Sequence, residues 1–178
     1  MDLRDAITLI KQDDITFSNK SVWADLGCGS GLFTYALANL LATGSTIYAW
    51  DKSNTPLSSL PNPHHISVKP AQLDFIKEAL PISGLDGILM ANSLHYVPDK
   101  PAFLEKASTH LQKDGLFLIV EYETTRANQW VPYPVPFNTL KMLFSNAGFG
   151  VAVKLQERPS LYGSGHMYAA LFRRLSDI

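Results

Sequence analysis

Cysteine is almost absent: Cys28 stands alone among 178 residues. A lone thiol makes no internal disulfide, which excludes a disulfide-stapled scaffold and suits a reducing cytosol, the expected location. Excess charge is missing too. Basic and acidic side chains nearly cancel, leaving a formal net charge of −1. No Lys/Arg run is present to track phosphates, so nucleic acid is not an expected partner. No apolar stretch approaches the ~20 residues of a membrane helix. The N-terminal "MDLRDAITLIKQDD" carries acids where a signal peptide is basic. Internal repeats and low-complexity segments are lacking. The paired His64 and His65 have no partners at metal-ligand spacing, so no metal site is expected.

What is present is a globular composition, 46% hydrophobic and 17% charged, on a length that suits one domain over 1–178. Leu3, Ile7 and Ile10 predict a short amphipathic helix within an N-terminal segment, 1–19. Within a core of 20–173, apolar runs predict strands at 20–25, 45–50, 65–68, 85–91 and 116–122. Helical spacing recurs through Phe33, Ala36, Leu37, Leu40 and Leu41. It recurs again from an Asp99 cap through Phe103, Leu104, Ala107 and Leu111, and over 138–147 before Gly148. Two last strands, 149–155 and 166–173, are joined by a connection too short for a crossover helix and should pair antiparallel. The alternation before them predicts an α/β fold, an open, mostly parallel sheet with helices on both faces.

The chemistry concentrates in "VWADLGCGSG", residues 22–31. A strand runs into Asp25, then glycines occupy 27, 29 and 31. A glycine run alone also serves any tight strand-to-helix turn. A dinucleotide fingerprint wants G-x-G-x-x-G, but Leu32 stands where its third glycine belongs. Asp25 is also wrong for a pyrophosphate. At about 5 Å and an effective dielectric of about 20, two like charges repel by roughly 3 kcal/mol. A cationic ligand is favoured instead. Asp51 ends the second strand, 20 residues past Gly31, where a carboxylate can accept both hydroxyls of a ribose.

These residues, with "QLDF" at 72–75, "LDGILMANSLHYV" at 85–97 and "LQKDGLFLIVEY" at 111–122, resemble the class I S-adenosylmethionine-dependent methyltransferases. The motifs come in that family's order over roughly 20–173. The resemblance implies a seven-stranded sheet in the order 3-2-1-4-5-7-6, with strand 7 antiparallel, and S-adenosylmethionine as cofactor. It also implies roles at matched positions. Asp25, Gly27 and Gly29, with Cys28 between the glycines, would hold the methionine end, and Gly31 would let the backbone pass close. Asp51 would bind the ribose, Lys52 would lie near the adenine, and Asp74 would accept from the adenine amino group beside Phe75. Asn92 would line the methionine side. Two features depart from the pattern. The segment after Asp51 is broken by Pro56, Pro61 and Pro63, and "ANSLHY" is not the box of enzymes that methylate base amino groups.

A methyl leaves a sulfonium without needing a proton, so positioning supplies most of the catalysis. A base is needed only for a protonated nucleophile. His95, just past the fourth strand, is the candidate base; it could instead cap a loop. Tyr96, Glu121 and Tyr122 stand on the same rim; Tyr96 reads as packing before substrate contact, and one of Glu121 and Tyr122 should face the substrate, since adjacent strand residues point to opposite faces. The segment 123–137, with three prolines and Arg126, Trp130, Tyr133 and Phe137, reads either as an aromatic lid over the substrate or as a stiff connector. Tyr162 and His166 flank the last hairpin. A small-molecule acceptor is expected, and the oligomeric state is not legible. The alternatives are a non-enzymatic S-adenosylmethionine binder and, less consistent with the glycine spacing, a nicotinamide-dependent enzyme.

Overall fold

The computed structural model describes residues 1–12, 19–159 and 165–174. Tyr162 and part of the 1–19 segment lie outside them. The first helix, α1 (Leu3–Ile10), is closed by a capping box in which Asp2 accepts from the Asp5 amide. Then follow β1 (Val22–Leu26), α2 (Leu32–Ala38), β2 (Thr46–Asp51), β3 (Ser67–Gln72) and β4 (Leu85–Ala91). A 3₁₀ turn at Leu94–Tyr96 leads to α3 (Lys100–Ser108), β5 (Leu111–Tyr122), α4 (Phe137–Asn146), β6 (Phe149–Pro159) and β7 (His166–Arg174). The seven strands form one sheet in the order β3-β2-β1-β4-β5-β7-β6, with β7 antiparallel to both neighbours and the other pairs parallel. This is the expected topology.

Alternation along the strands divides the core between two faces. Trp23, Ile47, Leu89, Leu118 and Leu171 pack against α1 and α2. Ala24, Trp50, Ile88, Phe117 and Phe172 face the other way, toward Leu104 of α3 and Leu140 and Phe144 of α4. Gly87 permits one close fit. A Cβ there would stand 2.3 Å from the Trp23 ring, so β4 must be bare where the indole of β1 crosses it.

Four boundaries differ from the sequence reading. The sixth strand runs on to Pro159 rather than ending at 155. The third strand starts at Ser67 and runs to Gln72, not 65–68. Asn62 explains the delay: its side chain bonds the Ile66 amide and carbonyl, and His65 turns back at φ 51, so 62–66 is a turn. The second helix stops at Ala38 because Asn39 bonds Tyr35 O and Pro61 O, although Leu41 stays buried. Leu111 belongs to β5 rather than α3. It pairs with Leu85, and a register irregularity then carries the strand through Gln112–Gly115 to Leu116 opposite Gly87.

The long crossover between β2 and β3 contains no helix. Its chain is tied to the glycine loop instead: the Ser58 amide donates to Ser30 O at 2.9 Å, and the Leu57 side chain lies against Gly31. β3 is left as a largely exposed edge carrying Lys69 and Pro70.

Candidate active site

The carboxyl ends of β1, β2 and β4 meet at the glycine loop. Gly27 adopts φ +84, and a Cβ on it would come 2.5 Å from Ser93 Cβ and 3.4 Å from the Phe75 ring. Glycine is therefore required twice over, by backbone conformation and by space. The Gly27 and Cys28 amides both donate to Trp50 O, at 2.7 and 3.1 Å, and Ser93 Oγ donates to Leu26 O at 2.6 Å. Asp51 completes the cradle. Its Oδ2 accepts from the Gly29 amide at 2.9 Å and its Oδ1 from Ser53 at 2.8 Å. Each oxygen keeps a lone pair for a ligand. Gly31, at φ +89, starts α2.

Asp25 corrects the electrostatic premise drawn from the sequence. It does not present a bare charge at the strand tip: it is 1% exposed and faces α2, where Thr34 Oγ1 donates to Oδ2 at 2.6 Å. Burial raises its pKa from 3.8 to about 7, against the lowering effect of Thr34, with Asp51 raising it further. Its charge is conditional at neutral pH. Its Oδ1 is buried with no hydrogen-bond partner, and so is Asn92 Oδ1. Asn92 takes the left-handed conformation at φ 55, which is uncommon outside glycine. Each of these orphaned acceptors calls for a donor from outside the chain, and an ammonium group has the matching chemistry. The Cys28 thiol is pushed up to about 12, by burial first and then by Asp25 and Asp51, so it is not a nucleophile.

Phe75 meets the loop through its ring, which packs edge-on to Phe103 at 5.8 Å. Asp74 caps the turn after β3, accepting from the Ile76 amide at 3.2 Å. Lys52 extends its ammonium 5.5 Å from the Tyr96 ring centroid, linking the end of β2 to the turn after β4. Two cavities open at this edge. One of about 450 Å³ lies over β2 and β3, where the crossover lacks a helix, and includes Cys28, Tyr35, Asp51, Ser53 and Leu57. The other, about 300 Å³, lies over β4, β5 and β7 on the α2 side, walled by Leu32, Phe33, Asn92, Tyr122 and Met167.

The remaining candidates separate. His95 is 2% exposed, with Nδ1 2.7 Å from Glu121 Oε2 and its amide donating to Glu121 Oε1 at 3.0 Å. Tyr122 lines the 300 Å³ cavity. Tyr96 and Tyr133 are 40% and 46% exposed, Trp130 is 70% exposed, and Arg126 is also exposed. None of these four lines either cavity. The loop that carries three of them is fastened to the core. The Tyr133 amide donates to His95 O at 3.0 Å, Lys100 Nζ donates to Tyr133 O at 2.8 Å, and Tyr168 Oη donates to Val135 O at 2.6 Å. His166 is exposed, and its carbonyl accepts from the Glu123 amide. Sequence reasoning missed Thr34, Ser93 and Lys100. Thr34 carried a signal: it lies three residues before Leu37 on the buried face of α2, so its hydroxyl needed a partner. Among the described residues no group of three or more His, Cys, Asp or Glu gathers as metal ligands do, and no helix is long and apolar enough to cross a membrane.

The sequence profile of a family described as a methyltransferase domain matches residues 24–117, more than half of the chain. No curated protein gives a significant sequence match. Among solved structures, the chain is similar to the Burkholderia thailandensis 1,6-didemethyltoxoflavin-N1-methyltransferase, solved with 1,6-didemethyltoxoflavin and S-adenosylhomocysteine. The TM-score is 0.72 at 20% identity, over 98% of this chain and 78% of that one. A Methanosarcina mazei S-adenosylmethionine-dependent methyltransferase gives 0.68 at 14% identity, over 99% and 100%. One from Aquifex aeolicus gives 0.62 at 16%, over 98% and 100%. With the glycine loop, the acids behind β1 and β2 and the β7 reversal already in place, the chain belongs to the methyltransferase-domain family, and its fold is that of the class I S-adenosylmethionine-dependent enzymes.

Proposed function

We propose that this chain methylates a small organic molecule that enters the 300 Å³ chamber beside Asn92. Bound at the glycine loop, the cofactor supplies an electrophilic methyl on a sulfonium whose departure leaves a neutral thioether. The residues present fit it. Asp25 and Asn92 would offer orphaned acceptors to its ammonium, Asp51 would accept from its ribose hydroxyls, and Asp74, Phe75 and Lys52 would hold its adenine. The chain's own contribution is positioning and exclusion of water.

The observation that carries the acceptor reading is the chamber wall. Met1, Leu32, Phe33, Met167 and the Tyr122 ring give it a largely apolar lining, Arg158 adds one cation already paired with Asp5, and the space suits a molecule of one or two rings rather than a polymer. Near-zero net charge supports the same class, and a single thiol suits work in a reducing cytosol. Calorimetry with S-adenosylhomocysteine against NAD, followed by transfer of a tritiated methyl to small molecules, tests the reading. Binding of NAD in place of S-adenosylhomocysteine would overturn the cofactor assignment. Binding without transfer would leave a sensor or scaffold.

A further inference from the structure

We propose that Arg158 selects the acceptor by anchoring a carboxylate at the end of the chamber away from the cofactor, so that the molecule methylated is a small aromatic acid. This rests on the methyl-transfer reading above. Tyr122 of β5, Met167 of β7 and Arg158 of β6 stand opposite one another in the antiparallel ladder. Paired residues share a face, so their side chains form one row. The row lies on the side of the sheet where Met167 shares its core with Phe33 of α2. All three residues line the 300 Å³ chamber. Asn92 follows β4, the neighbour of β5 on the other side, so strand order sets it at the opposite end from Arg158. Two strand spacings separate Tyr122 from Arg158, roughly 10 Å, which is the span of one or two substituted rings.

Of the side chains lining the chamber, Arg158 alone carries a formal charge. A cation against an apolar wall is screened less than one in open water. Its guanidinium is a planar fork that takes a carboxylate through two parallel hydrogen bonds. Asp5 of α1 already displays the match: its Oδ2 accepts from Arg158 Nη1 at 2.9 Å. Asp5 thus stands in for the acceptor's carboxylate. Its side chain is 41% exposed and that of Arg158 25%, and a pair so open to water is weak. Releasing Asp5 to solvent costs little, while an acceptor brings its carboxylate on a ring that fills the apolar space. Fastening α1 is not the pair's main task, since Ala6, Leu9 and Ile10 already bury that helix in the core. Anchored at Arg158, the acceptor turns its far edge toward Asn92 and the cofactor. Arg158 is a specificity-determining residue and takes no part in making or breaking bonds.

Two measurements on the intact chain test this. First, 2-naphthoate and its neutral counterpart 2-naphthamide are titrated by calorimetry with S-adenosylhomocysteine present. Naphthoate should bind at least about 10-fold more tightly, the worth of a hydrogen bond to a charged group. Arg158→Gln should erase that preference while leaving the affinities for naphthamide and S-adenosylhomocysteine unchanged, and Arg158→Lys should keep part of it. Asp5→Asn, which retains an oxygen for the Asp2 amide, should tighten naphthoate about threefold and leave naphthamide alone. Second, transfer of a tritiated methyl is followed to 3-hydroxybenzoate, 3-aminobenzoate and 3-mercaptobenzoate and to the corresponding benzamides. Arg158→Gln should raise KM for the acids at least about 10-fold with kcat little changed. Equal affinities or equal KM values for acids and amides overturn the anchor while leaving methyl transfer intact. A preference for acids that survives in a folded Arg158→Gln does the same, as do Arg158→Gln and Asp5→Asn variants that lose equal Tm and alter neither ligand's affinity. A chain that binds S-adenosylhomocysteine yet takes up neither naphthalene and labels no probe overturns the small-acceptor reading itself, and the anchor with it.

Discussion

Replacing Asp25 with Asn should strengthen the fold and weaken the cofactor, in opposite directions and with opposite pH dependence. The carboxyl titrates at about 7 in the folded chain against an ordinary 3.8. A raised acid pKa means that the folded state holds the proton more tightly. Its stabilising contribution is thus complete below 3.8, is lost as pH rises toward 7, and is absent above. About three units at 1.36 kcal/mol each make this loss roughly 4 kcal/mol. Because Asp25 is 1% exposed, solvent screening reduces it little. Asn keeps the shape and can still accept from Thr34 Oγ1, but never ionises. At pH 8.5 the variant should be more stable by up to about 4 kcal/mol, raising Tm on the order of 10 °C, and the gain should vanish near pH 4. Cofactor binding moves the other way. An ammonium needs the anion, so wild-type affinity for S-adenosylhomocysteine should fall about tenfold between pH 8 and pH 6, as a proton must be expelled. Asp25→Asn should bind roughly 10- to 150-fold more weakly at pH 8, the worth of a charged hydrogen bond, with a flat profile across this range. Thermal melts by circular dichroism and calorimetric titration across pH read both quantities. A variant that melts below wild type at pH 8.5, or a wild type whose affinity ignores pH, would refute the reasoning.

Other substitutions probe separate parts of the structure. Asp51→Ala should weaken S-adenosylhomocysteine binding by roughly 1–3 kcal/mol, since ligand hydroxyls and the Gly29 and Ser53 amides all lose an acceptor; an unchanged calorimetric affinity would remove Asp51 from the site. Gly87→Ala should cost about 1–3 kcal/mol in a urea titration, because the methyl meets the Trp23 ring; a wild-type midpoint would show that β1 and β4 can part freely. Tyr168→Phe should cost about 1 kcal/mol and speed proteolysis within 123–136, as Val135 O loses its buried donor; identical digestion would mean that the hydroxyl does not hold the loop.

The glycine loop and the central buried strands were legible because both follow from local requirements, whereas the strand order came from the family resemblance. Alternating glycines mark left-handed turns, and a strand buried on both faces, such as Leu85–Ala91, reads as continuous apolar residues. β3 was misplaced for the opposite reason. Its residues are polar or exposed, and β2 imposes its pairing from outside. The start of β5 was hidden because Gln112–Gly115 has the composition of a turn. The hydrogen bond from Thr34 to Asp25 joins two elements: helical spacing shows that the buried Thr34 hydroxyl needs a partner, but not which residue supplies it. The aromatic segment left two readings open, lid or stiff connector, because side chains do not set its course. Its course is fixed by backbone carbonyls at Tyr133 and Val135, which any sequence would supply, while Trp130 points to water.

The edge strand β3, left uncovered where the crossover has no helix, would ordinarily invite a neighbouring chain to extend the sheet. Pro70 lacks the amide such a partner must find, and the charge of Lys69 discourages approach. The opposite rim, β6, carries Lys154, Glu157 and Pro159. Self-association through strand pairing is thus opposed at both margins, and the loss of a covering helix need not make the protein prone to aggregate.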